Sequence, residues 1–412
     1  MQLENDKMTE LFTRSIAGSD DVIQRVKVTN ATKTSSIQIT VFRVNNDVFE
    51  PLGDISQYTS LLWPDAYLGY ASFELWAPIT EDNSSLIKEG NVIWTGGENA
   101  AIIEIIKADV NDKGEKVYDV KGRTLEARFV NRIIWGTFIA ANKRASTVMY
   151  ELVNISAISP TKAVRKLRWL KNAEDTQCGQ LIANYQKTGG DTYDALVNIA
   201  TDSDVGFSVL FNPRIQEEKF EVRKGVDRTL NNPDGNEPVI FSTELEDLLT
   251  SQYYMNNQDE RNVAFVQGED KGENRKSVVV GDDSLSGYNR RELYVDARDL
   301  QSEVYHEDGT TTPLSPAEYN ATLKQRGNEK LAEHSRVETF EAKIRQFGDV
   351  QYVYDKDYFK GDKVTVIDEQ LGLMVSARIT LAEEQYSEDY NLVLTFGYSY
   401  PTVLQKVKRI IT

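Results

Sequence analysis

The chain has 412 residues, 40% hydrophobic and 27% charged, and its 47 basic and 64 acidic residues leave a net charge of −17. That composition is that of a folded globular protein with room for roughly two to four domains. The acidic balance argues against a general nucleic-acid binder, which needs clustered Lys and Arg along the phosphate backbone, and no apolar run reaches the roughly 18–20 residues of a membrane helix.

The first residues, MQLENDKMTELF, carry no apolar signal-peptide core. Val26-Lys27-Val28 and Ile37-Gln38-Ile39-Thr40-Val41 alternate as half-buried strands do. Residues 57–80 read as an aromatic-rich strand, a Gly-Tyr turn and a second strand with Phe73, Leu75 and Ala77 on one face. Short strands split by turn signals continue to about residue 135, a pattern that suits a small barrel, because closure removes exposed edges. In TKAVRKLRWLK, Val164, Leu167 and Leu170 stand at helical spacing. Asp191 is placed to cap a helix with Tyr193, Leu196, Val197 and Ala200 on one face, and Val205 to Phe211 follows as a buried strand. Further strands are expected at Phe220–Val222, Val239–Phe241, Val263–Gln267, Ser277–Val280 and Glu292–Val295, separated by polar loops such as 231–238 and 267–277. Ser315, Pro316 and Glu318 form a helix start with cap, first-turn proline and capping box, and Tyr319, Leu323 and Leu331 share a face of that helix. Residues 336–412 return to strands.

Two segments echo each other. Residues 86–134 and 357–411 each open on a Gly plus Asn/Asp turn (Gly90-Asn91; Gly361-Asp362). Each then runs through a strand (Val92 to Trp94; Val364 to Ile367), a second apolar run (Ile102 to Ile106; Met374 to Leu381) and an alternating strand ending at Gly122 or Gly397. Both close on Arg-Ile-Ile, Arg132 to Ile134 and Arg409 to Ile411. The expected fold class is therefore α+β, mainly β, with two related small β-barrel domains flanking an α+β middle region. The expected division is 1–50 as an N-terminal extension with the first strands, 51–158 as the first barrel, 159–335 as the middle and 336–412 as the second barrel.

The sequence assigns no catalytic, cofactor-binding or metal-binding residue. Glu104, Asp109 and the Glu383-Glu384 pair read as solvated carboxylates, since the paired geometry of a glycosidase does not follow from spacing on strands. Asp282, Ser284, Ser286 and Gly287 resemble a calcium loop but lack its closing glutamate. Gly96-Gly97 and Gly189-Gly190 read as turns, without the context of a phosphate loop. Cys178, the single cysteine, excludes an intramolecular disulfide framework and reads as a partly buried apolar side chain. With His306 and His334 the only histidines, a zinc site of the usual kind is not expected. The basic run Lys162, Arg165, Lys166, Arg168 and Lys171 reads as the solvated face of a helix, then as an intersubunit contact with acidic neighbours, with nucleic-acid binding third; the tail holds a second cluster, Lys406, Lys408 and Arg409. Trp63, Tyr67 and Tyr70 near one turn suit a core, an interface or a sugar-binding face.

In order, YLGYASFELWAP, then KEGNVIW with IIEIIKADV and YDVKGRTLEARFVNRII, then GGDTYDALVNIATDSDVGFSVLF, NRRELYVDARDL, SPAEYNATLKQRGNEKLAEH and finally YFKGDKVTVIDEQLGLMVSARITLAEEQY with NLVLTFG resemble the baseplate hub, or tail-tip, proteins of long-tailed phages. The likeness covers roughly residues 55–412. It implies a non-enzymatic homotrimer in which each chain supplies two barrels, so that three chains match a six-fold tail tube and present three-fold symmetry below. It implies a virion location at the tail tip, a tube-end ring above, the tape-measure protein in the lumen, and fibre or receptor-binding tip proteins below. DNA would pass without specific binding and the chain would not insert in a membrane. Ending at Thr412, just past the second echo, the chain is expected to lack the C-terminal peptidase, lysin or receptor-binding module of many relatives. Two alternatives stand beside it: a cell-wall (peptidoglycan) hydrolase with its acid and base in 213–335, and a carbohydrate-binding module using Trp63, Tyr67 and Tyr70.

Overall fold

The computed structural model describes residues 29–32, 36–45, 48–110, 114–245, 247–270, 275–305 and 311–397. The expected strand at Val26–Val28, His306, the basic tail and the closing Arg409–Ile411 lie outside them. The first part of the chain holds strands β1 (Thr29–Thr32), β2 (Ile39–Asn45), β3 (Val48–Ile55), β4 (Ser60–Ala66), β5 (Ser72–Pro78), β6 (Val92–Trp94), β7 (Ala100–Val110) and β8 (Lys116–Thr124), with helix α1 (Glu81–Leu86) before β6. Next come β9 (Thr137–Arg144), helix α2 (Ala145–Val153), β10 (Leu170–Asn172), β11 (Leu181–Thr188), helix α3 (Thr192–Asp202), β12 (Gly206–Asn212) and β13 (Glu217–Arg223). The remainder holds β14 (Ile240–Ser242), β15 (Leu248–Asn256), β16 (Val263–Gln267), β17 (Ser277–Gly281), β18 (Glu292–Asp296), β19 (Glu303–Tyr305), β20 (Thr311–Pro313), helix α4 (Pro316–Glu333), β21 (Val337–Ile344), β22 (Phe347–Val350), β23 (Lys363–Asp368), β24 (Leu373–Tyr386) and β25 (Tyr390–Gly397). The fold is α+β and mainly β, as the alternating runs imply.

A 13-stranded sheet organises the molecule, and it contains the same arrangement twice. In the first half the strands lie in the order β2-β6-β7-β8-β5-β4; in the second they lie in the order β14-β23-β24-β25-β21-β15. Taken in chain order, the matching pairs are β2 with β14, β4 with β15, β5 with β21, β6 with β23, β7 with β24 and β8 with β25. The halves differ where β2 meets β6 antiparallel but β14 meets β23 parallel, and β3 extends the first half only.

The echoed segments match hydrogen bond for hydrogen bond. Gly90 N–H donates to Ile103 O and Ile103 N–H to Asn91 O; Gly361 N–H donates to Ile379 O and Ile379 N–H to Asp362 O. Both turns need the left-handed backbone that glycine adopts without strain, at φ 80° for Gly90 and 91° for Gly361. One residue further on, each long strand carries an unpaired extra residue, Glu104 in β7 and Thr380 in β24. In this frame Gly122 matches Phe396 rather than Gly397, and Phe73 matches Phe340, since these pairs face each other across β5–β8 and β21–β25.

The two halves are one ladder: β24 pairs antiparallel with β4, and a single apolar core takes Phe73, Leu75 and Ile103 from one half and Phe340, Ile379 and Phe396 from the other. Phe73, Leu75 and Ala77 are each at most 1% exposed, as their alternation predicts. A second core lies between the antiparallel β9–β11 ribbon, α2, α3 and the β10-β13-β12 sheet. There Tyr193, Leu196, Val197 and Ala200 of α3 are all buried behind Asp191 at the N-cap. A third, smaller core sits where α4 covers the β17-β16-β18 sheet, and this unit is inserted between β15 and β21. Its capping box is formed as expected: Glu318 N–H donates to Ser315 Oγ and Ser315 N–H to the Glu318 carboxylate.

The helix expected across Val164, Leu167 and Leu170 is absent. Only a single 3-10 turn, Ala163–Arg165, forms, Val164 is 93% exposed, and Leu170 opens β10, parallel to β13. Long-range bonds win over the local period: Leu167 N–H donates to Ala157 O and Glu218 N–H to Trp169 O.

Candidate assembly surfaces

The joint between the halves is held by backbone pairing, buried rings and ion pairs together. From Leu61 opposite Tyr386 to Ala66 opposite Leu381, β4 lies along the second part of β24, beyond the part that β23 covers. Tyr67 continues this pairing, donating its N–H to Thr380 O, while Phe207 N–H donates to Tyr67 O and so ties in the middle core. The Tyr67 ring fits only because its neighbours lack side chains: a Cβ on Gly206 would stand 2.4 Å from it and one on Gly361 2.3 Å. Its hydroxyl donates to Arg223 O and accepts from Gly225 N–H, both at 3.1 Å. The Arg378 guanidinium, 3% exposed, stacks 5.1 Å from the ring and donates to Gly361 O and to Asp204 at 2.5 Å. Burial pushes the Tyr67 phenol up, with Arg378 opposing.

Asp65 is the polar centre of the joint. It accepts from Tyr354 Oη at 2.9 Å, from Asn99 Nδ2 at 2.7 Å and from the Lys360 ammonium. Lys360 is buried, and burying a side chain of this kind is costly unless it meets such a partner. Burial and the neighbouring Asp65 carboxylate hold the Tyr354 phenol well above its ordinary value. The joint therefore has two ion pairs, three tyrosines in or beside it and close glycines, a constellation for holding two sheets in register.

Other buried carboxylates fasten the modules. Glu218 meets Arg128 at 2.7 Å, and Glu126 accepts from Val209 N–H at 2.7 Å; burial raises both carboxyls, with Arg128 opposing at Glu218. In residues 213–335, burial pushes Asp247 and Glu329 up to about 7. Asp247 is 5% exposed and Glu329 4%, so neither is open to a polymeric wall substrate. Sequence reading missed this class altogether, because nothing in the local pattern separates a buried Glu on a helix from a solvated one.

The residues singled out in the sequence are spread apart. Trp63, Tyr67 and Tyr70 are all at most 7% exposed, so the sugar-binding face is overturned: the rings belong to the core and the joint. Glu104 pairs with Arg123 at 2.5 Å, Asp109 with Lys107 at 2.6 Å, and Glu384 accepts from Tyr390 Oη. Asp282 accepts from Ser284 within its own turn, and among the described residues no cluster of three or more His, Cys, Asp or Glu is placed to hold a metal. Cys178 is half-buried with its thiol 3.9 Å from Val222 O, and His334 sits at the C-cap of α4. Gly96, Gly189 and Gly190 take the positive φ of turns. The basic run is not a helix face: Lys162 and Arg165 stack on exposed Trp135, Arg168 stacks on Trp169, and Lys171 pairs with Glu217. No helix among the described residues is long and apolar enough to cross a membrane.

Among the open sheet edges of the described residues, two belong to matching places in the repeat. β15 ends the ladder and pairs only with β21; β7 pairs with β6 over Ala100–Ile102 alone, leaving the same side of Ile105–Val110 open. Both edges expose apolar side chains: Ile105 58% and Val110 59%, Tyr254 45% and Met255 44%.

This fold is a tail-protein fold. It is shared with the tail protein from Neisseria meningitidis MC58 (13% identity, 87% of this chain and 96% of that one, TM-score 0.50) and with the 43 kDa tail protein of prophage MuSo2 from Shewanella oneidensis (13%, 87% and 97%, 0.50). Prophage tail protein gp18 from Listeria monocytogenes EGD-e also matches, at 11% identity over 91% and 98%, with a TM-score of 0.48. No curated protein matches the sequence. Residues 41–398 match the family described as Siphovirus ReqiPepy6 Gp37-like protein, and the chain belongs to that family. It is a structural protein of the virion tail.

Proposed function

We propose that the chain is a non-enzymatic hub at the tail tip, three copies of which form a ring that adapts a six-fold tube to three-fold symmetry. The observation that supports this is the duplicated module: one chain repeats the same strand order twice, with the same turn and the same bulge. Two look-alike modules per chain turn three copies into six nearly equivalent positions. The ring stacks under the tube-end protein, encloses the tape-measure protein and then the passing DNA, and carries fibre or receptor-binding proteins below. A net charge of −17 suits a lumen to which a polyanion does not adhere. The test is a copy count at the tail end by electron microscopy of intact particles. Three copies are expected; six copies of this chain in one ring would overturn the reading.

A further inference from the structure

From the repeat we infer which two edges join neighbouring copies: β15 of one chain adds antiparallel to the Ile105–Val110 edge of β7 in the next. This rests on the ring reading and specifies its contact. Inside one chain, β4 covers the second part of β24. By the strand correspondence β4 matches β15 and β24 matches β7. Each chain therefore contains one finished joint, β4 on β24, and the two halves of a second one, β15 and β7, left open. Within the single chain these two edges do not meet, β15 bonding only to β21 and Ile105–Val110 of β7 only to β8, whereas a second copy presents the missing edge. The occupant is thus this same sequence, and the built joint supplies the template.

The template also gives a register. The shared bonds align Ile103 with Ile379, so Leu381 to Tyr386 correspond to Ile105 to Val110. Phe73 aligned with Phe340 makes Leu75 correspond to Ala342; Leu61 faces the first and Ser251 the second, so Leu61 to Ala66 correspond to Ser251 to Asn256. Transferring the pairing of β4 with β24 places Ile105 opposite Asn256, Ile106 opposite Met255, Lys107 opposite Tyr254, Ala108 opposite Tyr253, Asp109 opposite Gln252 and Val110 opposite Ser251. One face of this joint then pairs Ile106 with Met255, Ala108 with Tyr253 and Val110 with Ser251. It corresponds to the face that Ala382, Tyr386, Leu61 and Trp63 bury in the finished joint. The exposure of these side chains in the single chain is the exposure of half an interface, and an apolar open edge is a template for strand addition.

The hydrogen-bond phase follows as well. Tyr67 N–H bonds to Thr380 O, so Pro64 opposite Glu383 falls at a non-hydrogen-bonded position, where a missing N–H is tolerated. Lys107 and Tyr254 occupy the corresponding pair. Such pairs bring side chains closest, which suits a disulfide between two exposed positions. The experiment uses the full chain carrying Cys178→Ser, Lys107→Cys and Tyr254→Cys, its oligomeric state read by native mass before mild oxidation. Covalent multimers with a 107–254 disulfide are expected, and mixing the two single-cysteine chains should give covalent dimers only. A slipped pair, Lys107→Cys with Gln252→Cys, should link at least about tenfold less. An oligomer without the 107–254 bond overturns the edge pairing and leaves the ring reading standing. A chain that stays monomeric and unlinked at every concentration overturns the edge pairing as a self-sufficient joint, and the ring is then judged by its copy number in the tail.

Discussion

Glu329 shows how far a single side chain departs from its sequence context. On α4 it lies in a polar run, Gly327-Asn328-Glu329-Lys330, that reads as solvated. The fold instead packs it against the middle core, with one carboxyl oxygen lacking a hydrogen-bond partner among the described residues. Burial pushes its pKa from 4.5 up to about 7, with Arg326 and Lys187 opposing and Asp202 adding to the rise. A folded-state pKa above the unfolded one means that the contribution is fully present below about pH 4.5 and is lost as pH rises through about 7. The shift corresponds to an order of 3 kcal/mol. Glu329→Gln should therefore flatten the fall of Tm between pH 4.5 and 8 and raise Tm at pH 8; an unchanged slope in calorimetry would show that Glu329 is not the group responsible. Asp247, raised for the same reason, leaves a residual slope in the same direction. Residues whose fate depends on apolar alternation, such as Phe73 and Leu75, were legible from the sequence. Residues whose fate depends on a distant partner, such as Glu329, Asp65 and Lys360, were not.

Elements were legible where a local physical signal stood alone. The start of α4 is one: hydroxyl, proline and glutamate at fixed offsets satisfy free N–H groups whatever the rest of the chain does. Ser315→Ala should lower stability by about 1 kcal/mol, read as a fall in denaturation midpoint, and Ser315→Asp should restore most of it. No change in midpoint would mean that the inserted unit unfolds separately from the transition observed. The segment 163–171 is the opposite case. Three apolar residues at helical spacing were outbid by β13, which takes Leu170–Asn172 as a parallel neighbour, and by two tryptophan rings, exposed Trp135 and half-buried Trp169, that collect the cations. Parallel pairing with a strand tens of residues away leaves no local mark. The echo lies between these cases: turn glycines and apolar runs revealed the repeat, while the one-residue offset at Gly122 emerged only from the hydrogen bonds.

At the scale of the whole molecule, the two joints predict a separation of stability from assembly. The joint of β4 with β24 is internal: Asp65, Lys360, Tyr67 and Arg378 hold it within one chain, so substitutions there act on folding. The β15 edge is external in the single chain, and its side chains contribute little to the monomer's core. Tyr253 also donates to Glu338 on the neighbouring strand, so Met255 and Tyr254 are the better positions to change. Met255→Lys with Tyr254→Lys places two charges on the open edge, and charged edge strands resist strand addition. The monomer's Tm should shift by no more than a degree or two, since surface changes are usually within about 0.5 kcal/mol. The mass distribution should move to monomer at concentrations where the unaltered chain is oligomeric. If sedimentation finds the variant as oligomeric as the parent, β15 is not the contact. If instead the variant loses its fold, this edge belongs to the core of the single chain, and the repeat does not extend to the way copies meet.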